Sequence, residues 1–497
     1  MSLTLLAFVA MRFAKPTRTA YFGVHVVDEA TGQGVPLVRL ETVNKQPYFT
    51  DSAGFVAFNE PGLMERRVFF SISSPGYDYP KDGFGYAGTT LFTHAGNIEN
   101  IKLRRVNIAE RICRLTGQGI YRDSELLGIH VPISRSALDA GIMGQDTAQA
   151  EIYKGKMVWF WGDTDRPDYP LGNFHTTGAI ASFPKGKSDA SDGMEFRYFG
   201  DGHGFVRSMV QNPDPHPIWV SGLTVLGAGS SQEMFAYFAE MQSLGTILKS
   251  GYLKWNDARQ EFSPAQEFPP TRGWRFMDGH TNRLVESGTN YAVGGFPSTT
   301  RVPADAKHLL DPNSYEAFTC MKPDGTVMRN VDGTPAYLWQ KDSPPIGPKQ
   351  ESDLVSSGKL TLQQAHFLPV DSDGQIIFPH GGCVHWNAFR HKWIAIFTRL
   401  HGKDSELGEI YFSEGDAPTG PFRRAVKIFT HNQYTFYNPV HHEFLDQDGG
   451  RKIYIEGTYT AEFSGNPNPT PRYNYNQILY RLDLTDPRLA EPAASRQ

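Results

Sequence analysis

Alternating apolar and polar positions run through the first hundred residues and are interrupted by short polar segments that contain glycine. The alternating segments are 21–28, 35–43, 68–73 and 98–103, together with a strand–turn–strand pattern over 48–58. A period of two residues is typical of a strand with one buried face, and Gly54 supplies the turn inside the last pattern. The sequence therefore predicts a small β domain over residues 19–106.

A different pattern of apolar and polar residues begins near residue 107. Five times, a polar or glycine-containing entry is followed by an aromatic-rich strand, a turn and another strand. These units open near residues 145, 221, 278, 380 and 438. A recurring multi-strand unit of this kind predicts the blades of a five-bladed β-propeller over residues 107–485. The spacing is uneven because of insertions, of which 301–364 is predicted to form a rim loop. A pair of β-sandwiches is the alternative.

Composition supports an all-β chain of two domains. The 497 residues include 49 Gly and 34 Pro, and 13% of all residues are aromatic, which suits many short strands joined by tight turns. Charged residues make up 20% of the chain and nearly balance, giving a net charge of −5. No run of Lys or Arg is present, so nucleic acid is not expected as a partner.

The two ends of the chain are predicted to lie outside the domains. Residues 3–11 are apolar but too few to span a bilayer, and 1–18 are interpreted as a possible signal or leader. If that interpretation holds, the mature protein is periplasmic or extracellular. Residues 486–497 are interpreted as a tail. No other segment is apolar enough to span a membrane, and the oligomeric state is not defined by the sequence.

The cysteines do not define a metal site or a disulfide framework. Cys113, Cys320 and Cys383 lie far apart, and no CxxC spacing occurs. One disulfide pair remains possible, which would leave a single thiol unpaired.

The first domain resembles a known accessory module. Its segments 26–32, 34–38 and 50–58 read VVDEATG, GVPLV and TDSAGFVAF. These segments are similar to the transthyretin-like, carboxypeptidase-regulatory-like β-sandwich. The resemblance implies a β-sandwich without a catalytic cluster of its own. The expected fold is then an N-terminal β-sandwich followed by a five-bladed β-propeller.

The second domain resembles five-bladed glycoside hydrolase-like propellers over roughly residues 140–482. The resemblance rests on the motif Trp161-Gly-Asp-Thr164 and on the segment 413–422, SEGDAPTGPF. They are similar to elements of arabinanases and xylosidases and of the mycobacterial endo-arabinanase group. The resemblance implies a central pocket in which acidic residues attack a glycosidic bond. It carries over to Asp146 and Asp163, and Glu240 is the nearest match to the family's acid.

Candidate site residues follow from the inner strands of the blades, whose polar residues converge on one channel. Hydrolysis of a glycosidic bond needs a carboxylate base and a protonated acid. Asp146 is the expected base, and Asp278 or Glu240 is the expected acid or modulator of a neighbour's pKa. The other candidates are expected to contact substrate. They are Asp163, Arg166, His175, His280, His380, Arg399, Tyr437, His441 and Glu456.

The sixteen histidines support two other hypotheses. The chain resembles neoagarobiose hydrolase-like propellers, and this resemblance implies a histidine as the acid. Converging imidazoles could also hold a divalent metal, calcium or a transition metal, in a polysaccharide lyase that abstracts a uronate proton. There Arg399 would neutralise the carboxylate and Tyr437 or a histidine would act as base. A third hypothesis is a propeller that binds carbohydrate without turnover. The hydrolase hypothesis requires no cofactor.

Overall fold

A computed structural model describes residues 20–212, 216–403 and 405–490. The predicted leader and the last seven residues of the predicted tail, 491–497, lie outside the described residues. Strands dominate the described part, so the all-β prediction is confirmed. Its α-helices are short: α1 (Arg122–Leu126), α2 (Ala306–Leu309) and α3 (Pro348–Ser356). None of the helices in the described part is long and apolar enough to cross a membrane.

Short 3-10 helices occupy several of the connections. They lie at Ala190–Asp192, Gly229–Ser231, Pro270–Arg272, Pro312–Ser314, Leu362–Gln364, Glu443–Leu445, Asp448–Gly450 and Pro487–Leu489.

The N-terminal part consists of two four-stranded sheets, which we call the two-sheet unit. Its strands are β1 (Phe22–Asp28), β2 (Arg39–Thr42), β3 (Pro47–Phe49), β4 (Phe55–Phe58), β5 (Arg67–Ser73), β6 (Tyr77–Asp78), β7 (Gly88–Phe92) and β8 (Ile98–Arg105). The strand orders are β4-β1-β8-β6 and β3-β2-β5-β7. The two sheets share one apolar core that includes Phe22, Phe58, Phe70 and Leu103. Strands β6 and β7 are not among the predicted ones.

The next eight strands include those of the first sheet of the second part, whereas the first of them belongs to the last sheet. They are β9 (Glu110–Arg114), β10 (Gly144–Gln145), β11 (Gln149–Tyr153), β12 (Lys156–Trp161), β13 (Thr164–Arg166), β14 (Tyr169–Asn173), β15 (Thr177–Ser182) and β16 (Glu195–Tyr198). Sheet one has the order β11-β12-β15-β16, and a small sheet β10-β13-β14 lies at its end.

Sheets two and three follow in chain order. Sheet two consists of β17 (Ile218–Leu226), β18 (Glu233–Ser243), β19 (Thr246–Asn256) and β20 (Glu261–Glu267). Sheet three consists of β21 (Asn282–Glu286), β22 (Thr289–Gly294), β23 (Thr300–Pro303), β24 (Glu316–Thr319) and β25 (Leu338–Gln340). The predicted rim loop 301–364 therefore contains strand residues as well as helices α2 and α3, because short apolar runs such as Ala317–Phe318 pair with their neighbours.

Sheets four and five complete the chain. Sheet four consists of β26 (Pro379–Asn387), β27 (Lys392–Arg399), β28 (Glu409–Gly415) and β29 (Val426–Thr430). Sheet five contains β30 (Thr435–His441), β31 (Lys452–Thr460) and β32 (Asn476–Asp483). Its fourth strand is β9, which pairs with β32 from the opposite end of the chain. The five predicted strand units thus correspond to five successive antiparallel sheets.

The three cysteines are buried and unpaired. Cys113 lies in β9, Cys320 follows β24 and Cys383 lies in β26. They pack in different apolar clusters. The disulfide that the sequence left open does not form in this structure.

Arg111 ties the two-sheet unit to sheet five. Its side chain is fully buried, and its guanidinium donates to the carbonyl oxygens of Pro36 at 3.0 Å and Pro75 at 3.1 Å. It also lies over the ring of Tyr77 at 5.3 Å. Buried acceptors that lose their donor are costly because water cannot replace it.

We expect Arg111→Met to lower the free energy of unfolding by about 3 kcal/mol, since it leaves one buried and one partly buried carbonyl oxygen without donors. Denaturant unfolding measures this change. Arg104→Met is the control, because that arginine is exposed and pairs with exposed Asp78, so a change within about 0.5 kcal/mol is expected. Equal effects of the two substitutions would contradict the role assigned to Arg111.

Candidate functional site

The hairpin of β11 and β12 brings two aspartates together. Its turn, Lys154–Gly155, has positive φ at both residues, as a two-residue hairpin requires. Gln149 pairs with Phe160, so the residues just before β11 lie beside those just after β12. Asp146 and Asp163 occupy these positions. The Asp163 amide donates to Oδ1 of Asp146 at 2.8 Å.

Gly162 makes this approach possible. A Cβ atom on this residue would lie 2.3 Å from Oδ1 of Asp146, well inside contact distance. The Gly162 amide also donates to the carbonyl oxygen of Asp146 at 2.9 Å. The glycine of the Trp161-Gly-Asp-Thr164 motif is therefore required by the carboxylate that packs against it.

We expect Gly162→Ala to push the Asp146 carboxylate aside and to lower turnover about a hundredfold, because misplacement of a reacting group by about an ångström costs that much. Steady-state kinetics on the substrate identified below measures the loss. Gly245→Ala is the matched control, since a Cβ there meets nothing within 4 Å. Unchanged turnover in Gly162→Ala would show that the carboxylate position is not critical.

Sheet five supplies hydroxyl donors to the same carboxylate. The Tyr437 hydroxyl, on β30, donates to Oδ2 of Asp146 at 2.7 Å. The hydroxyls of Tyr475 and Thr147 also interact with this carboxylate and favour its ionised form. Burial acts in the opposite direction and prevails, so the pKa of Asp146 lies above its usual range.

The carboxyl group of Asp163 has a pKa above that of an ordinary aspartate. Burial raises its pKa to about 7, and the negative charge of neighbouring Asp146 acts in the same direction. The Trp219 indole N–H, from β17, donates to its Oδ1 at 3.2 Å and only partly offsets these effects. Asp163 can therefore carry a proton near neutral pH, while the hydroxyl and amide donors around Asp146 favour its ionised form against the effect of burial.

Two further carboxyl groups complete what we call the acidic cluster: Asp146, Asp163, Asp165 and Glu462. Glu462 follows β31 and is exposed. Although the residue is exposed, partial burial of its carboxyl group and the charges of Asp146 and Asp165 raise the pKa of Glu462. Asp146 and Asp163 are themselves only partly buried, so solvent or substrate reaches the cluster.

Strained backbone surrounds the acidic cluster. Thr147, Asn438, Phe463 and Tyr475 have φ values between 46° and 58°, in the left-handed region that L-residues rarely adopt. Their φ values are 46°, 49°, 58° and 58°. Asn438 and Thr147 are linked by a side-chain hydrogen bond of 2.8 Å, which ties sheet five to sheet one. Strain of this kind persists only where the surroundings fix it, and it is concentrated at functional sites.

Two residues of β17, Trp219 and Ser221, connect the acidic cluster to Asp278. The Ser221 hydroxyl donates to Oδ1 of Asp278 at 2.7 Å, and Trp219, two residues earlier on the same face, contacts Asp163. Residues two apart on a strand point to the same side. The structure thus brings Asp146, Asp163, Tyr437 and Asp278 to one side of the sheets.

Glu240 and Arg399 lie in ion pairs. Glu240 is buried, and Lys249 approaches its carboxylate at 3.5 Å. Arg399 contacts Glu409 at 3.4 Å. The carboxyl group of Glu240, expected from the sequence as an acid or modulator, therefore lies beside a lysine ammonium group.

Two of the three other candidates have local partners. The Arg166 guanidinium lies over the ring of Phe205 at 4.2 Å. His175 accepts the Ile218 amide at 3.2 Å, and burial lowers the pKa of His175. His380 is exposed as a residue, and partial burial of its ring lowers its pKa.

The remaining candidates lie deep between the sheets. His442 and the Trp159 indole both bind Oε2 of Glu456, at 2.7 and 3.0 Å, and His441 binds Asp446 at 2.8 Å. His280 lies in the same region, where burial and nearby histidines lower its pKa to about 3. Glu456 and His441 are at most 1% exposed, so a carbohydrate does not reach them in this structure.

A small cavity of about 20 Å³ lies among these histidines, enough for about one water molecule. Across 20–212, 216–403 and 405–490, no group of three or more His, Cys, Asp or Glu side chains is arranged to hold a metal ion.

Trp219 and Glu462 are site residues that sequence reasoning missed. Trp219 lies inside β17, where an aromatic residue is most simply explained by packing. Glu462 follows a strand and is not part of a recognisable sequence motif. A signal for Trp219 was its position two residues before Ser221, at the opening of the second strand unit.

The fold and site together define an all-β protein with a partly buried carboxyl pair at the ends of its strands. No family model and no curated protein sequence matches the chain.

Among solved structures, a candidate hydrolase of Bacteroides ovatus has 13% identity and a TM-score of 0.42, covering 69% of this chain and 86% of that one. A candidate exo-β-1,3-galactanase of Bifidobacterium bifidum has 9% identity and a TM-score of 0.38, with coverages of 76% and 94%. The GH43_1 enzyme of Xanthomonas citri in complex with xylose has 11% identity and a TM-score of 0.32, with coverages of 69% and 87%. These likenesses are too distant to identify an activity.

Proposed function

We propose that this protein is a glycoside hydrolase that cleaves a polysaccharide or oligosaccharide at the acidic cluster. One observation carries the proposal: Asp163, with a pKa raised to about 7, adjoins Asp146, whose carboxylate receives hydroxyl and amide donors. Acid–base cleavage of a glycosidic bond requires one protonated and one ionised carboxyl group, placed on the two sides of the bond.

In the proposed reaction, Asp163 donates its proton to the oxygen of the departing sugar as the bond to the anomeric carbon breaks. Asp146 accepts a proton from the water molecule that supplies the new hydroxyl group. After the reaction Asp163 has lost one proton and Asp146 has gained one. Proton transfer through solvent from Asp146 to Asp163 restores the starting state. No cofactor is required.

Aromatic side chains around the cluster support binding of sugar rings. Trp219, Tyr437 and the exposed Phe463 surround the carboxyl pair, and the rings of Tyr437 and Phe463 are 6.2 Å apart. Aromatic faces pack against the apolar side of a sugar ring, while Asp278 and Ser221 can bind hydroxyl groups. His380 and Arg166 are proposed as further contacts.

For the architecture, we propose that the five sheets are the blades of a closed five-bladed propeller and that the two-sheet unit is an accessory β-sandwich. The pairing of β9 with β32 supports closure, because it joins the beginning of the second part to its end. Contacts between the first strands of successive sheets, such as β11 with β17 and β26 with β30, support a radial arrangement.

Incubation of the purified protein with neutral and acidic polysaccharides tests the activity. We expect new reducing ends, no gain of ultraviolet absorbance and no effect of a chelator. Absorbance that appears and is lost on chelation would instead indicate the metal-dependent lyase. Saturable binding without product would indicate a binding protein.

We expect Tyr437→Phe to move the acidic limb of the pH–activity profile upward by about one pH unit. The Tyr437 hydroxyl stabilises the anion of Asp146, and a hydrogen bond to a charged group contributes roughly 1.5 kcal/mol. Losing it raises the pKa of Asp146, so a higher pH is needed to ionise the base. Tyr153→Phe is the control, because that hydroxyl donates to Asp257 at 3.1 Å, away from the cluster. An unshifted limb would exclude Asp146 as the group that titrates there.

A further inference from the structure

A cleft of about 770 Å³ lies between the two-sheet unit and sheet five. We call it the junction cleft. The two-sheet unit contributes Arg39, Phe49 and Ser73, and the opposite wall contributes Gln433, Tyr434 and Asn468. Cavities of this size accommodate ligands of several hundred daltons, and they occur preferentially where domains meet.

The opposite wall presents aromatic and amide groups to the cleft. Tyr434 stacks on Tyr459 with ring centroids 5.0 Å apart, and its hydroxyl donates to the Asn468 carbonyl oxygen at 2.8 Å. Within the described part of the chain, no hydrogen bond uses the side-chain amides of Gln433 and Asn468. Amides and aromatic faces are the groups that bind sugar hydroxyls and sugar rings.

A buried histidine adds a second, independent observation. His431 lines the junction cleft, is fully buried, and binds the Tyr480 hydroxyl through Nε2. Its Nδ1 has no hydrogen-bond partner in the described ranges. Burial holds its pKa well below the usual value, so the ring is neutral and one nitrogen remains available. A buried polar atom without a partner indicates a site that a ligand or water completes.

The junction cleft adjoins the acidic cluster through shared segments. Tyr434 faces the cleft, whereas Tyr437 binds Asp146, and three residues of extended chain span roughly 10 Å. The connection between β31 and β32 is shared in the same way: Glu462 belongs to the acidic cluster and Asn468 to the cleft. A chain molecule bound at one site can therefore extend into the other.

We propose that the junction cleft binds a second stretch of the polysaccharide substrate, a few sugar units from the bond that is cleaved, and that the substrate is a long neutral chain. This inference rests on the proposed function. The neutral class follows from charge. The cleft is lined by Arg39, which is paired with Glu41, and by Lys403, so cations are present there. The carboxyl groups of the acidic cluster, however, would repel uronates at the point of cleavage.

Two variants test the cleft. Gln433→Ala combined with Asn468→Ala removes the free amides, and Ser73→Trp fills the cleft from the wall of the two-sheet unit, where Ser73 is exposed. Gln375→Ala, an exposed glutamine away from the cleft, is the control. The probes are long-chain arabinan and xylan, their tetrasaccharides, and polygalacturonate as the charged comparison.

Binding is measured by affinity electrophoresis in the Asp146→Asn background, and kcat/KM is measured with Asp146 intact. We expect the double amide variant to bind arabinan or xylan about tenfold more weakly, as the loss of two hydrogen bonds predicts, and to lose the same factor in kcat/KM on the polymer only. Ser73→Trp should weaken binding by about tenfold or more, because the indole occupies the space of the sugar. The tetrasaccharide values should stay unchanged.

Polymer binding equal to that of the control would overturn the cleft assignment, as would a wild-type protein that binds neither arabinan nor xylan. Tighter binding of polygalacturonate would overturn the neutral class. Polymer binding that depends on the cleft without any reducing ends would instead count against the proposed hydrolysis, so the two failures are distinguishable.

Discussion

Replacing Asp146 by Asn should lower kcat about a thousandfold while leaving the fold intact. Asparagine keeps the shape: its Oδ1 can still accept the Asp163 amide, and its Nδ2 replaces the oxygen that accepts the Tyr437 hydroxyl, so it would donate to that hydroxyl instead, and it cannot take a proton from water. Removal of a general base typically costs a factor of that size. Release of reducing ends from the active polysaccharide measures the loss, and circular dichroism and thermal unfolding confirm the fold.

Asp257→Asn is the matched control for this experiment. Asp257 also accepts a tyrosine hydroxyl, from Tyr153, and a lysine ammonium group, but it lies outside the acidic cluster. Its substitution should leave kcat within about twofold, as for surface changes remote from the chemistry. Full activity of the Asp146 variant would remove this residue from the mechanism.

The second large effect concerns Asp163 and the alkaline limb of the pH profile. An acid must be protonated to act, and the pKa of Asp163 is raised to about 7, so wild-type activity should fall as pH rises above about 7. Asp163→Asn should abolish this limb and lower kcat about a hundredfold to a thousandfold on natural substrates. The measurement is kcat against pH for both proteins.

A substrate with an acidic phenol as leaving group provides the control for this assignment. Such a group departs without receiving a proton, so Asp163→Asn should cleave the aryl glycoside nearly as fast as the wild type does. Asp146→Asn should stay inactive on it, since water activation is still required. Equal losses on both substrates would show that Asp163 does not act as the acid.

The sequence patterns predicted the main strands well because their apolar residues are buried, in β1 with some alternation and in β12, β27 and β31 on both faces. The pattern over 21–28 corresponds to β1, and the aromatic-rich segments correspond to β12, β27 and β31. Strands β6 and β7 were missed, since one has only two residues and the other is largely exposed. The pairing of β9 with β32 joins segments hundreds of residues apart, and no local pattern encodes such a partner.

The site was less predictable than the fold. Asp146 and Asp163 could be proposed because hairpin geometry places the residues before one strand beside those after the next. The pKa of Asp163 depends on burial and on the charge of Asp146, which only three-dimensional contacts define. Glu456 and His441 belong to strands that were predicted correctly, but they point into the packed centre, where they bind His442 and Asp446.

The central claim is that the acidic cluster adds water across a glycosidic bond. The most direct measurement is mass spectrometry of products formed from arabinan or xylan in water enriched in heavy oxygen, with the wild-type protein and with Asp146→Asn. The account predicts one heavy oxygen at each new reducing end for the wild type and none above background for the variant. Products without heavy oxygen, or equal labelling by both proteins, would contradict it.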